Sequence, residues 1–241
     1  MTSSVKKRAL ITGASSGIGK ATALAFAKAG IDLALVSRSQ DKLEAVATAA
    51  RDAGVNAQSY HLDLSQLDQV KTKIEAIAAE FASLDILVNN AGMGYTGTLT
   101  ETPLADWQQV MDLNLTSVWQ CILGVLPTMR QQQHGTIINV ASIAGQQPFP
   151  GWGAYNVSKA GLIALSKTLT AEERDNGIRV VTVCPGAVNT PIWDTDTVKA
   201  NLNRSAMLTP EIVAQSLLHV ALIPQAAVID FLTLMPSAGT L

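Results

Sequence analysis

The chain has 241 residues, 48% of them hydrophobic and 15% charged, with a formal net charge of −2. That length suits one α/β domain, and the apolar share can fill a large core, which excludes a disordered chain. The small net charge offers nucleic acid or an anionic membrane no long-range attraction.

In chain order, "RALIT" (8–12) reads as a buried strand and "GIGKATALAFAKAG" (17–30) as a helix stopped by Gly30. A strand over 31–37 follows, then a helix over 39–54 with an acidic first turn, then a less apolar strand over 56–64. Residues 66–82 form a helix with an apolar stripe at Val70, Ile74, Ile77 and Phe81, and 84–90 form a fourth strand. A long helix is expected from Pro103, which suits a first turn, to Gln131. The strand 135–142 leads through the loop "IAGQQPFPGWG" into a helix ending near Gly177. A strand over 178–186, an irregular stretch over 187–209, a helix from Pro210 to Ile223 and a strand near 227–234 complete the chain. Strand and helix alternate throughout, and several strands are continuous apolar runs. This predicts a single-domain Rossmann-type α/β fold over 1–241, a doubly wound parallel sheet of about seven strands with helices on both faces.

"TGASSGIG" (12–19) lies between the first strand and the first helix. Glycines in that place make a tight turn, admit a phosphate close to the backbone and pack helix on strand; the free N–H groups of the helix start favour a diphosphate. The spacing is G-x-x-x-G-x-G rather than the commoner G-x-G-x-x-G.

"YNVSK" (155–159) puts Tyr155 and Lys159 on one helical face, with Cβ atoms roughly 5–6 Å apart. Moving a phenol from its usual pKa near 10 to near 7 takes about 4 kcal/mol. An ammonium about 4 Å away, at an effective dielectric near 20, supplies about that much. Tyr155 is therefore expected to be an acid tuned by Lys159.

Together with "NNAG" (89–92), these motifs resemble the short-chain dehydrogenase/reductase family, in its order and spacing and over essentially the whole chain. The resemblance implies a catalytic set of Asn114, Ser142, Tyr155 and Lys159. Tyr155 would exchange a proton with the substrate oxygen, Ser142 would hold that oxygen, and Lys159 would also hold the nicotinamide ribose. Asn114 would fix a water beside Lys159, or act as a helix-distorting packing residue. A nicotinamide dinucleotide would lie along Gly13, Ser15, Ser16, Gly17, Ile18 and Gly19. Asp63 would meet the adenine edge, cap a helix, or do both, with Leu64 against the ring. Asn90, Ala91 and Gly92 would line the ribose, and Pro185, Gly186, Val188 and Thr190 the nicotinamide and diphosphate. The second strand ends in Ser37 and Arg38, with no acid there. An arginine accommodates a 2′-phosphate where a carboxylate would select the free hydroxyl, so NADP(H) is the expected cofactor.

Three segments, 92–97, 143–153 and 190–210, should surround the reacting end. They carry Tyr95, Phe149, Trp152, Trp193, Ile192, Met207 and Leu208, with Arg204 as the one arginine. A fairly apolar ketone or aldehyde fits such a pocket, and the stretch about 187–210 is expected to be a mobile lid. The first expectation is an NADPH-dependent carbonyl reductase. The alternative is a 3-oxoacyl-(acyl carrier protein) reductase, against which the C-terminal "LTLMPSAGTL" departs from a V-x-G-G ending. Arg130, Lys167 and Arg174 are the candidate cations for docking such an acidic carrier. A non-catalytic NADP sensor is a minor third reading. The resemblance also implies a homotetramer.

No apolar run approaches the roughly 18–20 residues of a membrane helix, and the N-terminus lacks a signal-peptide core. Cys121 and Cys184 read as buried thiols of a reducing compartment, and the three histidines share no ligand spacing, so no metal is expected. A cytoplasmic enzyme with no membrane or nucleic-acid partner is the resulting expectation.

Overall fold

The computed structural model of the chain describes residues 6–81 and 83–239. Ala82, expected at the end of a helix, and the final Thr240 and Leu241 lie outside them. β1 (Arg8–Thr12), α1 (Gly17–Lys28), β2 (Asp32–Ser37), α2 (Gln40–Asp52), β3 (Ala57–His61), α3 (Leu67–Glu80) and β4 (Ile86–Asn89) alternate through the first half. A long helical stretch follows: α4 (Leu104–Met111), a π-helical turn (Asp112–Thr116) and α5 (Ser117–Gln132). β5 (Gly135–Val140), α6 (Gly153–Glu173), β6 (Ile178–Pro185), α7 (Pro210–Leu222) and β7 (Phe231–Leu234) follow in turn.

All seven strands are parallel, in the order β3-β2-β1-β4-β5-β6-β7. The order reverses between β1 and β4, and ligands of such sheets bind in the crevice outside the carboxyl ends of the strands at that point. Period-two alternation divides the strand residues between two cores. Ile11, Leu33, Leu35 and Val88 pack with Phe26, Leu43 and Val213 of α1, α2 and α7. Leu10, Val36, Leu87 and Ile137 pack with Ile74, Ile122 and Leu162 of α3, α5 and α6. Burial on both faces is why the strands read as unbroken apolar runs.

Three expectations change. β3 ends at His61 because Asp63 turns the chain, its carboxylate accepting from the Ser65 N–H at 3.0 Å and the Ser65 hydroxyl at 2.9 Å. The helix expected from 103 to 131 opens into a π turn at its centre. Leu104–Gln132 also has the length and composition of a membrane span, which the sequence reading did not expect, but half of its most apolar stretch is buried, much of it in the core shared with α3 and α6.

Candidate active site

The carboxyl ends of β1 to β6 open into one cleft of about 480 Å³. At its floor the chain turns at Gly13, where φ is +65° and a Cβ would stand 2.9 Å from Ala91 Cα and Asn90 Nδ2. A Cβ on Gly19 would fall on the Gly13 carbonyl. The end of β4 is stitched to this turn: Asn90 Nδ2 donates to the Thr12 carbonyl at 3.1 Å, and the N–H groups of Asn90 and Ala91 donate to Thr12 Oγ1 at 3.0 and 3.1 Å. Ser16 precedes α1 in an extended conformation, and neither its side chain nor any first-turn acid occupies the helix start. The first N–H groups of α1 therefore face the cleft without a capping side chain, as a diphosphate requires. Ser15, Ser16, Gly17 and Ile18 line the cleft; Gly19 does not, being consumed in packing the turn.

Ser37, Arg38, Asp63 and Leu64 line the end of the cleft beside β2 and β3. The Ser37 hydroxyl lies 2.8 Å from that of Ser15 and accepts from the Ser39 N–H at 3.2 Å. Arg38 is exposed and forms no ion pair among the described residues. The Asp63 carboxyl is held below its usual range, first by the Ser65 N–H and more weakly by Arg38 and His61. Gln66, not Asp63, precedes α3 at the capping position.

The other end gathers the reactive side chains. Ser142, just past β5, accepts from the Ala144 N–H at 3.1 Å, which fixes the short turn Ile143–Gly145. Tyr155 lies in the first turn of α6 and Lys159 one turn on, only 5% exposed. Lys159 Nζ donates to the Val140 carbonyl at 3.0 Å and stands 5.8 Å from the centre of the Tyr155 ring. The expected tuning is therefore corrected: burial pushes the Tyr155 phenol up, with the Ser142 hydroxyl opposing. Burial also lowers the Lys159 ammonium to about 8. Desolvation is the largest influence on both groups, and the Val140 carbonyl rather than the phenol takes the hydrogen bond of the ammonium.

Asn114 is fully buried in the π turn and does not line the cleft. Its Oδ1 accepts from the Met93 N–H at 2.8 Å, and its Nδ2 donates to the Met93 carbonyl at 2.9 Å and to Ser158 Oγ at 3.1 Å. The widened turn thus ties the segment after β4 to α6. A Cβ on Gly92 would sit 3.0 Å from Asn114 Oδ1 and 3.7 Å from Lys159 Nζ, so amide and ammonium converge behind Gly92. Gly92, Pro185, Gly186, Val188 and Thr190 all line the cleft, as do Asn90 and Ala91.

The wall beyond Tyr155 is apolar. The Trp152 ring meets Tyr155 edge-on at 5.5 Å and Trp193 at 5.8 Å. Phe149, Ile192, Val198 and Leu202 continue it. Tyr95 is not part of it, since its hydroxyl donates to Asp106 at 2.9 Å, and neither Met207 nor Leu208 reaches the cleft. Sequence reasoning named the segments that hold Met93 and Ile143 but missed Leu113 and Met235. Met235 follows β7, and only the pairing of β7 beside β6 reveals that this end of the chain reaches the cleft.

A Rossmann-type sheet with a glycine-turn cleft lined also by a serine, a tyrosine and a lysine defines a dinucleotide-dependent oxidoreductase class. The family model described as short chain dehydrogenase matches residues 7–201, and the chain belongs to that family. It is 40% identical over 185 residues to the 3-oxoacyl-[acyl-carrier-protein] reductase FabG of Staphylococcus epidermidis, covering 76% of each chain. It is 36% identical over 249 residues to a 3-oxoacyl-[acyl-carrier-protein] reductase of Synechocystis, covering 99% of this chain and 98% of the relative. Among solved structures, it matches an alcohol dehydrogenase of the archaeon Thermococcus sibiricus, complexed with 5-hydroxy-NADP. The TM-score is 0.88, with 29% identity and 97% of both chains covered. A metagenomic short-chain oxidoreductase in complex with NADP matches at a TM-score of 0.84 and 30% identity, over 96% of this chain and 97% of the other.

Proposed function

We propose that this protein is an NADP(H)-dependent reductase that converts a ketone carbonyl to an alcohol, with a 3-oxoacyl thioester as its preferred substrate. The observation that carries the reaction is that Ser142, Tyr155 and buried Lys159 line the same cleft as the glycine turn and the bare start of α1, which suit a dinucleotide. The bare start of α1 and the Gly13 turn would hold the diphosphate, and Arg38 beside Ser37 and Ser15 would meet a 2′-phosphate. Both NADP-bearing structural relatives support that choice.

Bound NADPH supplies the hydride. Ser142 Oγ and the Tyr155 hydroxyl would hold the substrate oxygen and place the carbonyl carbon toward the nicotinamide. As charge develops on that oxygen, Tyr155 gives up its proton and Ser142 stabilises the oxygen by hydrogen bonding. A raised phenol pKa suits this direction: the donor is fully protonated at neutral pH, and only an alkoxide-like oxygen is basic enough to take its proton. Lys159, charged at pH 7, would stabilise the tyrosinate left behind and bond the nicotinamide ribose. Asn114 would hold Met93 and α6 in register with these groups.

The names of the curated relatives favour the 3-oxoacyl substrate over the free ketone that the sequence first suggested. A specific observation favours the free ketone as a second reading. Arg130 is bonded to the buried carboxylate of Glu173, at 2.9 Å through Nε, which already offsets part of the charge it could offer a carrier. Arg174 follows α6, roughly 22 Å beyond Lys159 at 1.5 Å per residue, toward the amino ends of the strands, where β6 begins at Ile178. Loss of NADPH absorbance with an acetoacetyl thioester and an aryl ketone, side by side, decides between them. A higher kcat/KM on the thioester is expected; turnover of the ketone alone would put the second reading first, and turnover of neither would refute the reductase. Assembly as a homotetramer is part of the proposal. Trp119 on α5 and Val157 on α6, 46% and 39% exposed, are candidates for burial between copies, which native mass measurement tests.

A further inference from the structure

We infer that Arg204 is a positioning residue that sets Thr190 and Trp193 as a unit, and thereby determines how tightly the cleft grips both cofactor and substrate. The substrate half of this inference rests on the reductase reading.

The long connection after β6 is closed at its base by backbone bonds. The Asn189 N–H donates to the Leu208 carbonyl at 2.8 Å, and the Leu208 N–H donates to the Ala187 carbonyl at 2.9 Å. Inside that closure Arg204 reaches across to residues 189–194. Nε donates to Asn189 Oδ1 at 2.7 Å, Nη1 to Asp194 Oδ1 at 2.7 Å and Nη2 to the Thr190 carbonyl at 3.2 Å. The rigid fork of a guanidinium serves three acceptors in one geometry; an ammonium on a flexible stem does not.

The segment so held carries two groups that face different parts of the cleft. Thr190 packs against the glycine turn, where a Cβ on Gly17 would stand 3.2 Å from its side chain. Trp193 donates from Nε1 to the Val188 carbonyl at 2.7 Å and meets Trp152 edge-on, and Trp152 meets Tyr155 in the same way. A contact path therefore runs from Arg204 through one short turn to both ends of the site. The Asp194 and Arg204 side chains are 61% and 39% exposed, and an exposed pair of this kind contributes little to global stability. What these three bonds determine is where Thr190 and Trp193 stand.

The test compares Arg204→Ala, Arg204→Lys and Trp193→Phe with the parent chain. NADPH affinity, read by fluorescence titration, needs no turnover. Arg204→Ala removes all three bonds and is expected to weaken it about fivefold and to raise the KM of the carbonyl substrate about tenfold, less than three bonds to a ligand would cost because they act through the turn. The value of kcat should stay within about threefold, since Tyr155, Ser142 and Lys159 are untouched. Arg204→Lys should recover little of either loss. Adding Trp193→Phe to Arg204→Ala should raise KM less than the two single effects combined, because both act through one turn. If Arg204→Ala does not fold, Asp194→Asn carries the same prediction at about a third of the size. Unchanged NADPH affinity and KM, full recovery by lysine, or a kcat loss that tracks a lowered Tm would each overturn the inference. Should the parent chain reduce no carbonyl, the reductase reading fails and the NADPH titration alone decides the role of Arg204.

Discussion

Lys159 Nζ stands 5.8 Å from the centre of the Tyr155 ring and is anchored at 3.0 Å on the Val140 carbonyl of β5. The ammonium is thus held by the sheet rather than by the phenol, and its energetics are those of a buried cation. Burial brings its pKa from 10.5 to about 8. In the unfolded chain the amine keeps its proton to near 10.5. Between about pH 8 and 10.5 the unfolded state therefore binds more protons, and stability from this group rises with pH. Below pH 8 both states are charged and the full cost of burial is present. Replacing Lys159 with Met in the cofactor-free protein should accordingly stabilise it at pH 7 by up to ~3 kcal/mol, and by much less at pH 10. Urea unfolding of both chains at the two pH values measures the gap; a gap that does not narrow contradicts this description of Lys159.

Arg38 has no acidic partner among the described ion pairs and lines the cleft beside Ser37. Arg38→Ala should raise the KM for NADPH about 10- to 100-fold, the range for a charge-assisted contact to phosphate, and leave that for NADH nearly unchanged. Initial rates with the two cofactors test this. Equal effects on both would remove the 2′-phosphate from the account.

Two glycines separate close packing from backbone conformation. Gly30 has φ of +81° with nothing within 4 Å of an added Cβ, so Gly30→Ala should cost only ~1–2 kcal/mol, the penalty of a left-handed residue. An added Cβ on Gly19 would land on the Gly13 backbone carbonyl, which cannot swing aside as a side chain can. Gly19→Ala should cost ~3 kcal/mol or more and also weaken NADPH binding. Comparable losses in the two variants, read by urea titration, would mean that the turn is not packed as described.

The sheet and its order of elements were legible in the sequence because buried parallel strands leave continuous apolar runs, and because glycines and prolines mark the helix ends. The Tyr155–Lys159 pair was legible from spacing, and Ser142 from the family resemblance. What was not legible depends on tertiary distance. Spacing puts Tyr155 and Lys159 on one face but does not show that Val140 takes the ammonium, so the direction of the phenol shift was misjudged. Asn114 was visible as a polar residue in an apolar helix, yet the π turn that aims it at Met93 has no local signature. Tyr95 looked like a pocket residue until Asp106 was seen to hold its hydroxyl, and Arg130 looked like an unpaired cation until Glu173 was found bonded to it. Each of these errors concerns a partner distant in the chain, which periodicity and composition do not report.

The most direct test of the account is Tyr155→Phe, with turnover and NADPH binding measured on the same preparation. The ring and its contact with Trp152 remain while the proton donor is removed. Turnover of the better carbonyl substrate should fall about 10²- to 10⁴-fold with NADPH affinity within about twofold of the parent. Turnover that survived the loss of the hydroxyl would contradict the central claim that Tyr155 gives its proton to the substrate oxygen.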